Sequence, residues 1–246
     1  MHDTDKHLAV VTGAGRGLGS ALAFVLAQVG CDLILCGRSL SSLQAVSDTI
    51  RQRFGTEVHV QHLDLSSTAS VAAAVAAITA RGDAVDILVN NGAMWLEYRH
   101  EGYSAVDVAT VIGSAVTGTY LLTQGLMPLL ERSRCPDIVT IGSTSGLPNA
   151  PIGKTSIPFY AAKRAQAALA DGLRQTLAGT PVRSIVVHPP DLDDVSPLDK
   201  AWDDSEHRAK GQAATNRDIA DAVLFALSRP RHVTLSITVD TDDLKQ

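Results

Sequence analysis

The chain has 246 residues, 45% of them hydrophobic, and a formal net charge of −5. That is enough for one large domain with a substantial core, and too apolar for a disordered chain. The acidic balance leaves no basic footprint for nucleic acid. No apolar run reaches the roughly eighteen residues of a membrane span, and residues 1–6 lack the apolar stretch of a signal peptide. The three cysteines, Cys31, Cys36 and Cys135, are odd in number and lack metal-ligand spacing. Free thiols in a reducing cytoplasm, and no metal, are therefore expected.

Leu8-Ala9-Val10-Val11 is a short apolar strand that runs into Thr12-Gly13-Ala14-Gly15-Arg16-Gly17-Leu18-Gly19, followed by a helix over 20–29. Strand, glycine turn and helix in that order build an anion site. The glycines allow a tight turn and a close approach of pyrophosphate, and the free amides at the helix start face it. The pattern Thr12-Gly13-x-x-x-Gly17-x-Gly19 is similar to the cofactor fingerprint of the short-chain dehydrogenase/reductase family. The resemblance implies a Rossmann-type fold, hydride transfer to or from NAD(P), and cofactor contacts at Gly13, Gly15, Arg16, Gly17 and Leu18.

The second strand, 33–36, ends in Gly37-Arg38-Ser39, and a helix follows over 41–54. A carboxylate at this strand end would bind the ribose 2′-hydroxyl of NAD. Here Arg38 stands instead, with Arg16 inside the glycine turn. Guanidinium groups pair with a 2′-phosphate, so NADP(H) is the expected cofactor. The third strand, 58–63, ends at Asp64-Leu65, where the resemblance places the adenine. An Ala- and Val-rich helix spans 68–80. The fourth strand, 86–89, leads into Asn90-Asn91-Gly92-Ala93. By resemblance Asn90 ties this strand to its neighbours, and Gly92 lets the backbone pass the nicotinamide ribose.

Residues 103–131 read as helical, and 117–123 resemble the family's long interface helix. Ala115 occupies the position of the family's relay asparagine, leaving Ser114 or a water to substitute. The fifth strand, 137–141, precedes a Ser/Thr turn in which Ser143 matches the family's catalytic serine, with Thr144 and Ser145 as alternatives. Gly153-Lys154-Thr155 mimics the end of a P-loop, but Pro148 stands where that motif needs glycine.

The family places Tyr and Lys four residues apart on the next helix, which Pro158 opens. The downstream pattern aligns Lys163 with that lysine and sets Phe159 at the tyrosine position. Three arrangements follow: Tyr160 shifts to act with Lys163, three residues on; Tyr160 pairs with Arg164, which cannot titrate; or Phe159 is in place and no phenol donates. In the first, Tyr160 protonates the carbonyl oxygen, Lys163 lowers the phenol pKa and holds the ribose, and Ser143 steadies the developing alkoxide.

The sixth strand, 182–187, leads into His188-Pro189-Pro190, and the resemblance sets Pro189 beside the nicotinamide. His188 reads as a structural histidine. The acidic stretch 191–212 matches the family's substrate lid, with Trp202 as its large apolar group. A last helix opens near 215, and a final strand spans 233–239 by its alternation of apolar and polar residues.

The expected fold is one α/β domain over 1–246, Rossmann-type and doubly wound on a mostly parallel seven-stranded sheet. The expected function is NADPH-dependent hydride transfer between nicotinamide and a small carbonyl or alcohol substrate, in a cytoplasmic homodimer or homotetramer with no nucleic-acid or membrane partner. The alternative is a member of the family that holds NADP(H) with impaired or non-redox chemistry.

Overall fold

The computed structural model describes residues 6–92, 94–153 and 155–242; Ala93, Lys154 and the two termini lie outside the described residues. The seven-stranded sheet contains β1 (Leu8–Thr12), β2 (Asp32–Gly37), β3 (Val58–His62), β4 (Ile87–Asn90), β5 (Asp137–Ile141), β6 (Arg183–His188) and β9 (Ser236–Thr238). Its order is β3-β2-β1-β4-β5-β6-β9, and every pairing is parallel. The short strands β7 (Leu192–Asp193) and β8 (Ala214–Thr215) pair apart from it. The sequence expectation of a doubly wound parallel sheet is met. The final strand is shorter than 233–239: Ser236–Thr238 pairs in register with β6, and the Leu235 carbonyl and Val239 amide add a bond each to Val186 and His188.

Successive strand residues face opposite sides of the sheet, which divides the core in two. Ala9, Val11, Leu33, Leu35, Val89, Val139 and Ile185 face α1 (Gly17–Gln28), α2 (Leu40–Phe54) and α8 (Asn216–Leu227). Val10, Ile34, Cys36, Leu88 and Ile138 face α3 (Thr68–Ala80) and α5 (Thr119–Leu130). Near-continuous apolar strands are what a sheet covered on both faces requires. Burial pushes the thiols of Cys31 and Cys36 up to about 12, so both behave as core residues.

The helix of 103–131 is α4 (Ala105–Ile112), one π-helical stretch (Gly113–Gly118) and α5, in unbroken succession. Against the composition-based expectation, Ala105–Leu130 is long and apolar enough, by length and composition, to cross a membrane. The apolarity has a place in the fold: Leu122, Leu126, Leu129 and Leu130 are fully buried with Val71, Ala74 and Ile78 of α3.

Gly19 is required by close approach. A Cβ there would lie 2.1 Å from the Gly13 carbonyl oxygen, so α1 starts tight against the end of β1. Gly13 and Gly17 have φ of 65° and 56°, the left-handed region that glycine adopts without strain.

Candidate active site

Beyond the carboxyl ends of β1, β2, β4, β5 and β6 lies a cleft of about 1390 Å³, where parallel α/β sheets place their ligands. One end is built by the first turn and β2. Gly13, Arg16, Gly17, Leu18, Arg38, Asp64 and Leu65 all line it. Gly15 does not; it packs against Ser42 at the start of α2 instead, where a Cβ would meet the Ser42 Cβ at 3.2 Å. Neither Arg16 nor Arg38 has a hydrogen bond or ion pair with the described residues. Burial raises the Asp64 pKa, but bonds from the Ser66 hydroxyl and amide, with the charge of Arg38, outweigh it and hold the carboxyl low.

Asn90 is buried beneath the cleft, and its Nδ2 donates to Thr123 Oγ1 at 3.0 Å, tying β4 to α5. It is Asn91 that reaches the cleft wall, with Nδ2 donating to the Thr12 carbonyl at 3.1 Å. Thr12 Oγ1 in turn accepts the amides of Asn91 and Gly92, at 3.0 and 2.8 Å. Gly92 packs tightly there: a Cβ would lie 2.8 Å from Leu65 Cδ1 and 3.2 Å from Thr12 Oγ1, so glycine is what lets the backbone pass between them. Asn90 thus makes the tie that the resemblance implies, and Asn91, which the sequence does not single out, is the one of the pair at the cleft.

The other end of the cleft holds Ser143, Lys163, Phe159, Ser114 and Pro189. Ser143 caps the short turn after β5, its Oγ accepting the Ser145 amide at 3.1 Å. Its carbonyl lies 3.2 Å from His188 Nδ1, and burial of that imidazole lowers its pKa. A neutral His188 donating to this carbonyl is a structural part of the turn. A Cβ on Gly142 would lie 2.5 Å from the same nitrogen, so the glycine admits the ring. Ala115 is fully buried, and Ser114 stands at the cleft with its hydroxyl donating to the Val111 carbonyl at 3.2 Å.

The helix α6 (Ile157–Thr176) decides the phenol question. Ser156 caps it by accepting the Phe159 amide at 3.2 Å, which fixes its first turn. From there Phe159, Lys163 and Ala170 fall on the buried face. Tyr160, about 100° further round at 3.6 residues per turn, turns away. Its hydroxyl donates to the Ala150 carbonyl at 3.0 Å, and it is not among the residues that line the cleft. The shift that would bring Tyr160 to Lys163 is not made. Phe159 lines the cleft instead, 7% exposed, with its ring centroid 5.8 Å from Lys163 Nζ.

Lys163 Nζ donates to the Ile141 carbonyl at 3.2 Å and to Gln166 Oε1 at 2.8 Å. Burial without a carboxylate partner lowers its pKa to about 8. The aromatic group over this end is Trp95, edge-on to Phe159 at 4.6 Å between centroids. Trp202, the aromatic expected to cover a substrate, packs instead beside Arg217, 6.0 Å from the guanidinium. From the 191–212 stretch, Asp191, Leu192, Asp193 and Asp194 reach the cleft.

The glycine turn and the guanidinium groups of Arg16 and Arg38, which make no hydrogen bond or ion pair among the described residues, fit a phosphorylated dinucleotide.

Residues 7–206 match the family model described as short chain dehydrogenase. An uncharacterized oxidoreductase of Staphylococcus aureus is 30% identical over 96% of this chain and 97% of its own length. A short-chain dehydrogenase/reductase from Burkholderia xenovorans is 28% identical, with a TM-score of 0.81, covering 98% of this chain and 97% of that one. A short-chain dehydrogenase from Sphingobium yanoikuyae, solved in complex with NADPH, is 26% identical, with a TM-score of 0.77 over 94% of this chain and 87% of that one. With its parallel sheet, its glycine cradle and a family match over most of its length, the chain belongs to the short-chain dehydrogenase/reductase family of oxidoreductases.

Proposed function

We propose that this chain binds NADP(H) in the cleft and is impaired in carbonyl reduction because no phenol faces the reacting end. The observation that carries this reading is the pair Phe159 and Tyr160, with the ring of the first over Lys163 and the hydroxyl of the second bonded to Ala150. When bound, the cofactor supplies or accepts hydride. The residues Gly13, Arg16, Gly17, Leu18, Arg38, Asp64, Leu65, Gly92 and Pro189 line the cleft and would hold it, Asn90 braces the strand beneath, and Lys163 would hold the ribose. Ser143 orients the small-molecule carbonyl or alcohol. Among the described residues that line the cleft there is no tyrosine, and a positioned proton donor is worth about 10²- to 10⁴-fold.

The test is NADPH binding beside NADPH oxidation over a panel of ketones and aldehydes. Binding with slow turnover of every member is the expected result. Fast turnover of any carbonyl by the unmodified chain contradicts the impairment and restores the reading of an ordinary NADPH-dependent reductase.

Arg38→Ala is expected to weaken NADPH binding by about 10- to 100-fold, the worth of hydrogen bonds to a charged group, and to leave NADH binding little changed. Fluorescence titration with the two coenzymes reads the difference.

Asp194 acts in the opposite sense. Its carboxylate lies against the phosphate turn, where a Cβ on Gly17 would come within 3.3 Å of Oδ2, and Asn216 Nδ2 holds it there by a hydrogen bond. A carboxylate so close to a diphosphate repels it. Asp194→Asn is expected to tighten NADPH binding by about threefold to tenfold at low salt, with the gain shrinking as salt rises.

A further inference from the structure

The sheet carries a second cluster of reactive side chains at its other end. β1, β4 and β5 are neighbours, so the residues just before them are brought side by side: His7, Asp86 and Cys135. His7 Nδ1 lies 3.6 Å from Cys135 Sγ and 3.7 Å from Asp86 Oδ1. One donor atom from each of the three falls within 4.8 Å of the other two.

We propose that His7, Asp86 and Cys135 form a binding site for a divalent metal ion of the zinc class, with a fourth position left to water. Typical bond lengths of about 2.0–2.3 Å at tetrahedral angles put a nitrogen and a sulfur ligand about 3.6 Å apart, and a nitrogen and an oxygen ligand about 3.3 Å apart. The observed pairs match the first separation and come within a few tenths of an ångström of the second. An imidazole, a thiolate and a carboxylate form a mixed N, S, O set that suits zinc and disfavours magnesium or calcium.

The arrangement is a convergence on one point rather than a proton relay, because thiol and carboxylate approach the same ring nitrogen. The carboxylate is also braced as ligands are. Asp86 Oδ2 accepts the Leu8 amide at 2.7 Å, and Oδ1 accepts the Ser133 hydroxyl at 2.5 Å. Ser133 Oγ in turn accepts the Cys135 amide at 3.0 Å, so one hydroxyl orients two of the three ligands. All three residues are partly exposed, which gives an ion a path in.

The experiment uses the full chain, stripped with a chelator and titrated with cobalt chloride, then with zinc chloride. One cobalt per chain is expected, with the visible bands of a four-coordinate ion and a near-ultraviolet thiolate-to-metal band, all displaced by zinc. Cys135→Ser is expected to remove the thiolate band, His7→Gln to weaken zinc binding at least about tenfold, and Ser133→Ala to weaken it by about tenfold. Far-ultraviolet circular dichroism and the unfolding midpoint serve as the folding control, and His7→Gln, at a partly exposed residue, keeps the test intact should Cys135→Ser misfold. Absence of stoichiometric cobalt binding, a spectrum without the thiolate band, or zinc binding unchanged in His7→Gln overturns the proposal. In that case the cluster is only the hydrogen-bonded tie between the sheet's strands.

Discussion

Phe159→Tyr is expected to raise NADPH-dependent carbonyl turnover by about 10²- to 10⁴-fold, the range that a positioned general acid supplies. The substitution keeps the ring in its place on the buried face of α6 and adds one hydroxyl. Lys163 Nζ, 5.8 Å from the ring centroid, supplies the positive charge that lowers a phenol from its usual value of about 10 toward neutrality. Ser143, which lines the same end of the cleft, would be the second donor to a substrate oxygen in this reading. The measurement is steady-state NADPH oxidation over the carbonyl panel, with Tyr160→Phe beside it. Because Tyr160 is committed to the Ala150 carbonyl, Tyr160→Phe is expected to leave the rate unchanged. No gain in Phe159→Tyr, in a variant that still binds NADPH, sinks the idea that the missing phenol limits the chemistry.

Lys163→Met is expected to separate stability from binding. Burial holds the ammonium pKa at about 8, against 10.5 for a free lysine. Below pH 8 the folded state carries a desolvated charge that the unfolded chain keeps in water, and the cost is fully present. Between pH 8 and 10.5 the unfolded chain binds more protons than the folded one, so stability rises with pH and the cost disappears. The shift corresponds to about 3 kcal/mol. Lys163→Met is therefore expected to be more stable than the parent at pH 7, and the order is expected to reverse above pH 10, where the parent's neutral amine still donates to Ile141 and Gln166. The gain at neutral pH falls short of 3 kcal/mol, because the Ile141 carbonyl and Gln166 Oε1 lose their donor. NADPH binding weakens in the same variant through loss of the ribose contact. Urea unfolding at several pH values reads the first effect; a parent whose stability is flat from pH 8 to 10 argues against a buried, unpaired ammonium.

Most of the fold was legible because its signals are local. A glycine turn between an apolar strand and a helix has few other uses, and the apolar strands of a sheet covered on both faces need no long-range information to be found. The start of the last strand was overestimated because alternation continues through Val233, although backbone pairing with β6 begins only at Leu235, whose carbonyl accepts the Val186 amide. The site was harder for a physical reason. Residues three and four apart on a helix share a face, so spacing alone left Tyr160 and Phe159 both able to approach Lys163. The Ser156 cap settles which one does by fixing where the first turn of α6 begins. Trp95 went unread because it follows β4 in an irregular segment with no period to mark it. Trp202 looked available because its contact with Arg217 joins residues far apart in sequence. Asn91 was passed over for its neighbour, since the two differ only in which side of the strand end they face.

Isothermal calorimetry of the unmodified chain with NADPH and with NADH reads whether Arg16, Arg38 and the bare turn at Gly13–Gly17 hold a 2′-phosphorylated nicotinamide dinucleotide. The expected result is one NADPH per chain, bound at least about tenfold more tightly than NADH. No heat with either coenzyme, or equal affinity for the two, contradicts it.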